Sequence, residues 1–591
     1  MDSKQSNGPI RPADGYNESP PVELETVISS YQNGDFKQAA ETATLYKQQF
    51  PGNEIVLSIL ANSQHQLGLL DASISTMERI KILFPANYKN QNNLGLAYQK
   101  IGKSEKAIES ISTALQLNPE YGDAFYNLAS VLFEEGEVED AIVNYEQASA
   151  LRPRHVGTYN DLGIAKKSVG RFAEAEDCYR AAIEIDPDFA DPYYNLGILK
   201  LEAGDMLAAE EYFRKAIELR PNYSEAYLNL GIVLAELGNL QAAKTTFEKI
   251  TFFDPTYSQA YALLGKTHFS LGNEEETIKL LQRALELEPS NLEACRELGA
   301  LSMSKKNYSL AASLYSKSSS LANSAESLKC SFHIDTEEEF LIKLSSYISN
   351  NPTNGPIGAL VRSFNYRYGK AIENPFCNKP LKYCLNINLN TFLEFNKMFR
   401  KPVYEALKSD NLTYRHQGLL SKGKQTAGNI FKQDSVKISE IEDIIRSEIE
   451  KYRHQFHRND EGMFREWPEK YTLNGWIVRM EEGGSLSPHI HANGWLTGSV
   501  YINVPSDRSN NEGDLVLSQY ENPTSNLEDS LMMEVTTGRM CLFPSSLYHY
   551  TVPFEGEEER IVLAFDVVPV ISKNQVQYID SKNSASLQAN F

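Results

Sequence analysis

From about residue 19 to residue 324, apolar and polar positions follow the period of an amphipathic helix, and the pattern itself repeats every 34 residues. Nine units fit without a gap. Glycine marks the same place in each, from Gly34, Gly68 and Gly102 to Gly272, with Lys306 in the ninth unit. Proline marks another, from Pro51 to Pro289, with Asn323 closing the series. A glycine lets the chain leave one helix with positive φ, and a proline stops the second helix and starts the next unit. Five places after the glycine stands a small residue, as in Ala39, Ala107, Ala141, Ala175, Ala209, Ala243 and Ala311. Small side chains there let two helices approach closely, so each unit predicts a helical hairpin.

The period is lost between residues 325 and 385. A helix-like stretch at Phe340 to Ile348 runs into the turn-rich Asn350 to Pro356, which predicts a cap and linker over the last hairpin. Cys330 and His333 fall here without spaced partners and are read as structural. After an amphipathic segment at Ile438 to Tyr452 the pattern turns to alternation. Strands are expected at Leu473 to Met480, Gly498 to Val504, Asp514 to Tyr520, Arg539 to Phe543 and Arg560 to Val568. Turns are expected between them, as at Glu481 to Gly484 and Glu555 to Glu557. The implied organisation is a tail at 1–18, an all-α array at 19–324, a cap at 325–385, a β-barrel or jelly roll with flanking helices at 386–572, and a tail at 573–591.

Composition narrows the function. A hydrophobic content of 41% and charged content of 23% are those of a folded chain. The net charge of -21 disfavours nucleic acid and acidic membrane surfaces as partners, since no basic patch offsets it. No apolar run reaches membrane-spanning length, and the polar start does not read as a signal peptide. Six scattered cysteines without a CxxC suit a reducing compartment, so the cytoplasm is expected.

The repeat columns, with phrases such as Ala124-Phe125-Tyr126-Asn127-Leu128 and Tyr193-Tyr194-Asn195-Leu196-Gly197, resemble the tetratricopeptide repeat. The resemblance implies hairpins stacked into a right-handed superhelix whose concave face holds a peptide or partner protein. One column bears on that. Asn93, Asn127, Asn195 and Asn229 precede the leucine of the first helix, with Asp161 in the middle unit. In similar arrays a comparable asparagine row holds a peptide backbone, because a carboxamide both donates and accepts. The alternative is that these amides bridge neighbouring helices. Tyr126, Tyr194 and Tyr227 on the same helices are read as packing residues.

The candidate chemistry lies near the other end, in Pro488-His489-Ile490-His491, His549 and Arg560. Histidines one residue apart on an extended strand point to the same side, so His489 and His491 can both face inward with His549 from a neighbouring strand. That arrangement suits chelation.

The run Ser487-Pro488-His489-Ile490-His491, Trp495 to Tyr501, Gly538 with Leu542-Phe543-Pro544-Ser545 and His549, then Arg560 to Phe565, resembles the iron(II)/2-oxoglutarate-dependent oxygenases. The closest likeness is to a bacterial and phage subgroup with His-x-His in place of His-x-Asp. The resemblance covers about residues 415 to 570. It implies a double-stranded β-helix holding Fe(II), with 2-oxoglutarate as co-substrate and dioxygen as oxidant. Ligands would be His489, His491 and His549. Arg560, which follows His549 after ten intervening residues, would grip the far carboxylate of 2-oxoglutarate, a task that suits a guanidinium. Tyr501 and Thr497 would be inward contacts to the keto acid. The usual carboxylate position holds His491, so Asn493, a carboxylate of the Asp507 to Asp514 loop, or two histidines alone are open alternatives. Val562 replaces a serine common two places after the arginine.

Three further readings remain open. Arg560 could instead be a strand-edge residue paired with the acidic Glu557 to Glu559. Gly483, His489, His491, Gly538, Pro544 and His549 also fit much of the two cupin motifs, without the expected glutamate. A non-catalytic scaffold, in which the array recruits partners, is the third. By analogy with repeat-bearing protein hydroxylases, the expected activity is hydroxylation of a protein or peptide held in the groove. Oligomeric state is not readable.

Overall fold

Each 34-residue period folds into the two helices it predicts, for example Tyr88–Lys100 with Ser104–Leu117 and Gly122–Glu134 with Val138–Leu151. The structure, a computed structural model, describes residues 22–570 apart from 204, 319, 321–323, 351–353, 392–393, 409–413, 416–418, 433–438, 492, 507–510, 522–526 and 557. The tails expected at 1–18 and 573–591, and Gly204, Asn323, Asp507 and Glu557, lie outside the described residues.

The turn inside each hairpin shows why glycine recurs. Gly102 has φ 71°, its N–H reaches the Gln99 carbonyl at 2.9 Å, and Lys103 N–H reaches that of Tyr98 at 2.9 Å. These bonds close the last open carbonyls of the helix, and they need a left-handed residue at the turn. In the ninth unit Lys306 takes that conformation at φ 59°. A left-handed L-residue costs about 1–2 kcal/mol, against about 0.5–1 kcal/mol for the extra unfolded freedom of glycine. Lys306→Gly should therefore stabilise the fold by roughly 0.5–1 kcal/mol, seen as a higher urea midpoint at unchanged slope. The alanine column is buried throughout. Where it is interrupted, Ser73 sends its hydroxyl to the Ala61 carbonyl at 2.7 Å, and Thr277 satisfies its own on Asn273.

Packing divides the chain into two compact units. The first reaches Ala203 and includes Glu218–Arg220, and the second holds the remainder of the described chain. In the second unit three helices, Ala325–Ile334, Glu337–Asn350 and Gly355–Tyr368, follow the ninth hairpin and share a core of Phe332, Phe340, Leu344, Val361 and Phe364. His333 stacks on Tyr308 with centroids 3.9 Å apart, and Cys330 is buried.

Ten strands follow: β1 Leu385–Asn388, β2 Tyr414–Arg415, β3 Leu420–Thr426, β4 Tyr471–His489, β5 Leu496–Asn503, β6 Leu515–Ser518, β7 Ser530–Met533, β8 Arg539–Pro544, β9 Tyr548–Thr551 and β10 Arg560–Pro569. All pair antiparallel in the order β1-β8-β5-β10-β4-β9-β6-β7, with β3 also on β4 and β2 on β3. The result is a nearly closed jelly roll, a double-stranded β-helix that follows the all-α array in sequence. The turn expected at Glu481 to Gly484 does not form. β4 runs through it, bending where Gly483 takes φ 72° and donates to the Phe554 carbonyl at 2.7 Å. That bend lets one strand serve β10 with its first half and β9 with its last residues.

Alternation sorts the side chains. Ile561, Leu563, Phe565 and Val567 of β10 join Leu496, Val500 and Ile502 of β5 in a core against the flanking helices, including Ile441, Ile445, Ile449 and Tyr452 of helix Ser439–Phe456. The opposite faces carry Val562, Tyr501, Cys541 and Phe543 into a second, smaller cluster with Leu515 and Leu517. The candidate site shares that inner face. The loop after β3 is seated on the turn of hairpin Ser224–Glu236 with Leu240–Phe253: a side chain on Gly428 would strike the Glu236 carbonyl oxygen. Among the described residues no helix is long and apolar enough to cross a membrane.

Candidate metal centre

His489 ends β4 and stands directly opposite His549 of β9, while His491 lies just past the strand end. The expectation that both paired histidines sit on the strand therefore holds only for His489. The strand stops because Trp495 pairs onward with Val567, so the chain must already turn toward β5. Ring centroids of His489 and His549 are 4.1 Å apart, those of His491 and His549 4.8 Å, and those of His489 and His491 5.1 Å. Their candidate ligand atoms all fall within 4.8 Å of one another.

Hydrogen bonds decide which nitrogens face inward. Nδ1 of His489 donates to the Ser487 carbonyl at 2.9 Å, and Nδ1 of His491 donates to Asp566 Oδ1 at 2.6 Å. Nδ1 of His549 turns to the Leu547 carbonyl at 3.5 Å. Each outer nitrogen thus meets an acceptor, which places its proton there and leaves Nε2 as a lone pair. Nε2 of His489 and Nε2 of His491 stand 3.1 Å apart. Two lone pairs so close repel unless a cation lies against them. Burial, reinforced by the neighbouring imidazoles, pushes His489 down to about 4 and His549 well below its usual value, which keeps these two rings neutral. Three imidazole nitrogens with outer partners fixed suit a transition metal such as iron.

The alternatives for a third ligand come out as follows. Asp514 is buried, its Oδ1 accepts the Val535 N–H at 3.1 Å, and it is not part of the cluster. Asn493 is exposed, and Asp507 lies outside the described residues. Among the described residues the convergent set is His489, His491 and His549.

Arg560 opens β10 and is 2% exposed, with its guanidinium 5.1 Å from the ring centre of Tyr501. Glu557 of the acidic run lies outside the described residues. Glu559 takes Arg479, at 2.6 and 2.7 Å, because successive strand residues point to opposite faces. Tyr501 is buried, which raises its phenol, and its oxygen accepts from Ser499 at 3.2 Å. Thr497 lies opposite Asp566 in the β5–β10 ladder and donates its hydroxyl to Asp566 Oδ1 at 2.9 Å.

Two residues here had not been singled out in the sequence. Asp566 is the first; six places beyond Arg560 on one strand, it shares that residue's face, and even spacing was the available signal. Arg362 of the capping helix is the second. It reaches the Ser546 carbonyl, with Nη1 3.3 Å from Ser546 Oγ, and so pins the turn leading to His549. Burial lowers this guanidinium to about 10.

In the array, Asn93, Asn127 and Asn195 of the asparagine row bridge neighbouring hairpins. Asn93 Nδ2 donates to Asn62 Oδ1 at 3.1 Å, Asn127 to Asn92 at 2.9 Å and Asn195 to Asn160 at 2.8 Å. Asn229 donates to the Glu225 carbonyl within its own helix at 3.0 Å. A carboxamide carries a second N–H and an oxygen acceptor besides. Tyr126 packs on Tyr145 and gives its hydroxyl to Asp161 at 2.7 Å.

The fold and the site define a tetratricopeptide-repeat chain that ends in a jelly roll with a three-histidine cluster. Repeat profiles match residues 90–121, 120–188, 160–224, 200–267 and 258–291. Residues 474–566, which run from β4 into β10, match the family described as "Putative 2OG-Fe(II) oxygenase". No curated protein shows significant similarity to the chain. Among solved structures, the chain is similar to MamA (28% identity, 27% of this chain and 95% of that one, TM-score 0.26). It is also similar to YrrB, a TPR protein with an unusual peptide-binding site (26%, 32% and 98%, TM-score 0.28), and to a tetratricopeptide repeat protein from Parabacteroides merdae (22%, 42% and 97%, TM-score 0.34).

Proposed function

We propose that this protein is an Fe(II)- and 2-oxoglutarate-dependent dioxygenase that hydroxylates a protein or peptide presented by its repeat array. The observation that carries the reading is the convergence of His489, His491 and His549, whose candidate ligand atoms lie within 4.8 Å of one another while each Nδ1 meets an acceptor. The family match over 474–566 supports it. Bound iron supplies the chemistry that couples conversion of 2-oxoglutarate and dioxygen into succinate and carbon dioxide to placement of one oxygen atom in a substrate C–H bond.

The chain's own residues do the rest. His489, His491 and His549 hold the ion on one side. Arg560 takes the distal carboxylate of 2-oxoglutarate through two parallel N–H bonds, in a setting where burial removes competition from water. Tyr501, beside the guanidinium, limits where it can swing. Thr497 acts one step back, through Asp566. In the array, Asn93, Asn127, Asn195 and Asn229 form the row that holds a peptide backbone, since a carboxamide both donates and accepts and needs no particular side-chain sequence. Six free cysteines fit a cytoplasmic setting.

Anaerobic titration of the full chain with Fe(II) and then 2-oxoglutarate should give a visible metal-to-ligand absorption band, and air with a peptide pool should release succinate. A chain that binds neither iron nor 2-oxoglutarate would end this reading.

A further inference from the structure

A cluster of three imidazoles brings no carboxylate ligand and so lacks the negative charge of the common two-histidine set. That charge is present one step outward. Asp566 Oδ1 lies 2.6 Å from His491 Nδ1, a separation typical of a charge-assisted bond. The partners of His489 and His549 are backbone carbonyls, so the carboxylate stands behind the one histidine that occupies the carboxylate's usual place. Asp566 is itself held. It is buried, Thr497 donates to the same oxygen at 2.9 Å from the adjacent strand, and Gly494 leaves room where any side chain would press on the carboxyl group.

We infer that Asp566 is a positioning residue that fixes His491 as an Nε2 donor and supplies, through the imidazole ring, the negative charge a direct carboxylate ligand would bring. The inference rests on the three-histidine metal reading above. A carboxylate accepting from Nδ1–H raises the basicity of the far nitrogen, and it also locks the ring plane and the tautomer. Asparagine at this place keeps an oxygen acceptor of the same shape without the charge, so Asp566→Asn separates charge from orientation.

The test uses Co(II) as probe on the full chain, with affinity read by competition against a chromophoric chelator and geometry read from the visible cobalt spectrum. Asp566→Asn should weaken Co(II) binding about tenfold, and Asp566→Ala, which also frees the ring, by up to about 100-fold. Thr497→Val should fall between wild type and Asp566→Asn. Circular dichroism and melting of each variant separate misfolding from altered binding. If wild type binds Co(II) and Asp566→Asn matches it in affinity and spectrum, this inference fails while the metal centre stands. If wild type binds no Co(II), the metal reading fails and this one with it.

Discussion

His549→Ala should bind Fe(II) at least about 100-fold more weakly than wild type, beyond the 10–100-fold typical when only an outer partner is lost, and should release no succinate above background. The argument is geometric. His549 sits on β9 between His489 of β4 and Leu517 of β6, and is buried. Among the described residues no further histidine, cysteine or carboxylate joins the cluster. Removing a buried ring also costs stability, roughly 1–3 kcal/mol. His489→Ala is therefore the companion variant, since that ring is half-buried and its loss disturbs the packing less. Anaerobic calorimetry on both decides the matter: wild-type iron affinity in either folded variant would remove that histidine from the ligand set.

Arg560→Ala carries the second large effect, and it should separate co-substrate binding from metal binding. Loss of hydrogen bonds to a charged partner is worth about 1.5–3 kcal/mol, so KM for 2-oxoglutarate should rise roughly 10- to 150-fold while iron affinity stays within a factor of about two. Its burial at the start of β10, beside Tyr501, favours the upper end. Arg560→Lys should recover only part of the loss, since a point charge cannot make two parallel N–H bonds to one carboxylate. An unchanged KM in Arg560→Ala, with iron still bound, would reassign this arginine to packing.

Much of this was legible in the sequence because it is local or periodic. The hairpins follow from columns that repeat every 34 residues, and the one break in the glycine column, Lys306, still adopts the turn. Strands β4, β5, β8 and β10 carry runs of alternating or continuous apolar residues long enough to read. β1, β2, β3 and β7 do not. β3 is Leu-Ser-Lys-Gly-Lys-Gln-Thr, with Lys422 at φ 46°, and its place in the sheet comes from pairing with β4 and not from its own composition. The histidine trio was legible because spacing on an extended chain fixes which way side chains point. Asp566 was hidden for the opposite reason. An aspartate within Arg560–Pro569 has no meaning until strand register brings Thr497 beside it and the end of β4 delivers His491. Arg362 was hidden by distance, at a sequence separation of 184 from Ser546.

The seat of Gly428 on the Glu236 carbonyl bears on how such a chain can change over generations. Repeats that lean only on their neighbours are easily duplicated or lost by recombination. A hairpin pressed against the jelly roll is not free in that way, because adding or deleting a unit downstream of it would shift the surface the barrel rests on. Variation in repeat number among descendants of this gene is therefore expected to accumulate upstream of Ser224, leaving the jelly-roll end anchored while the far end of the array lengthens or shrinks.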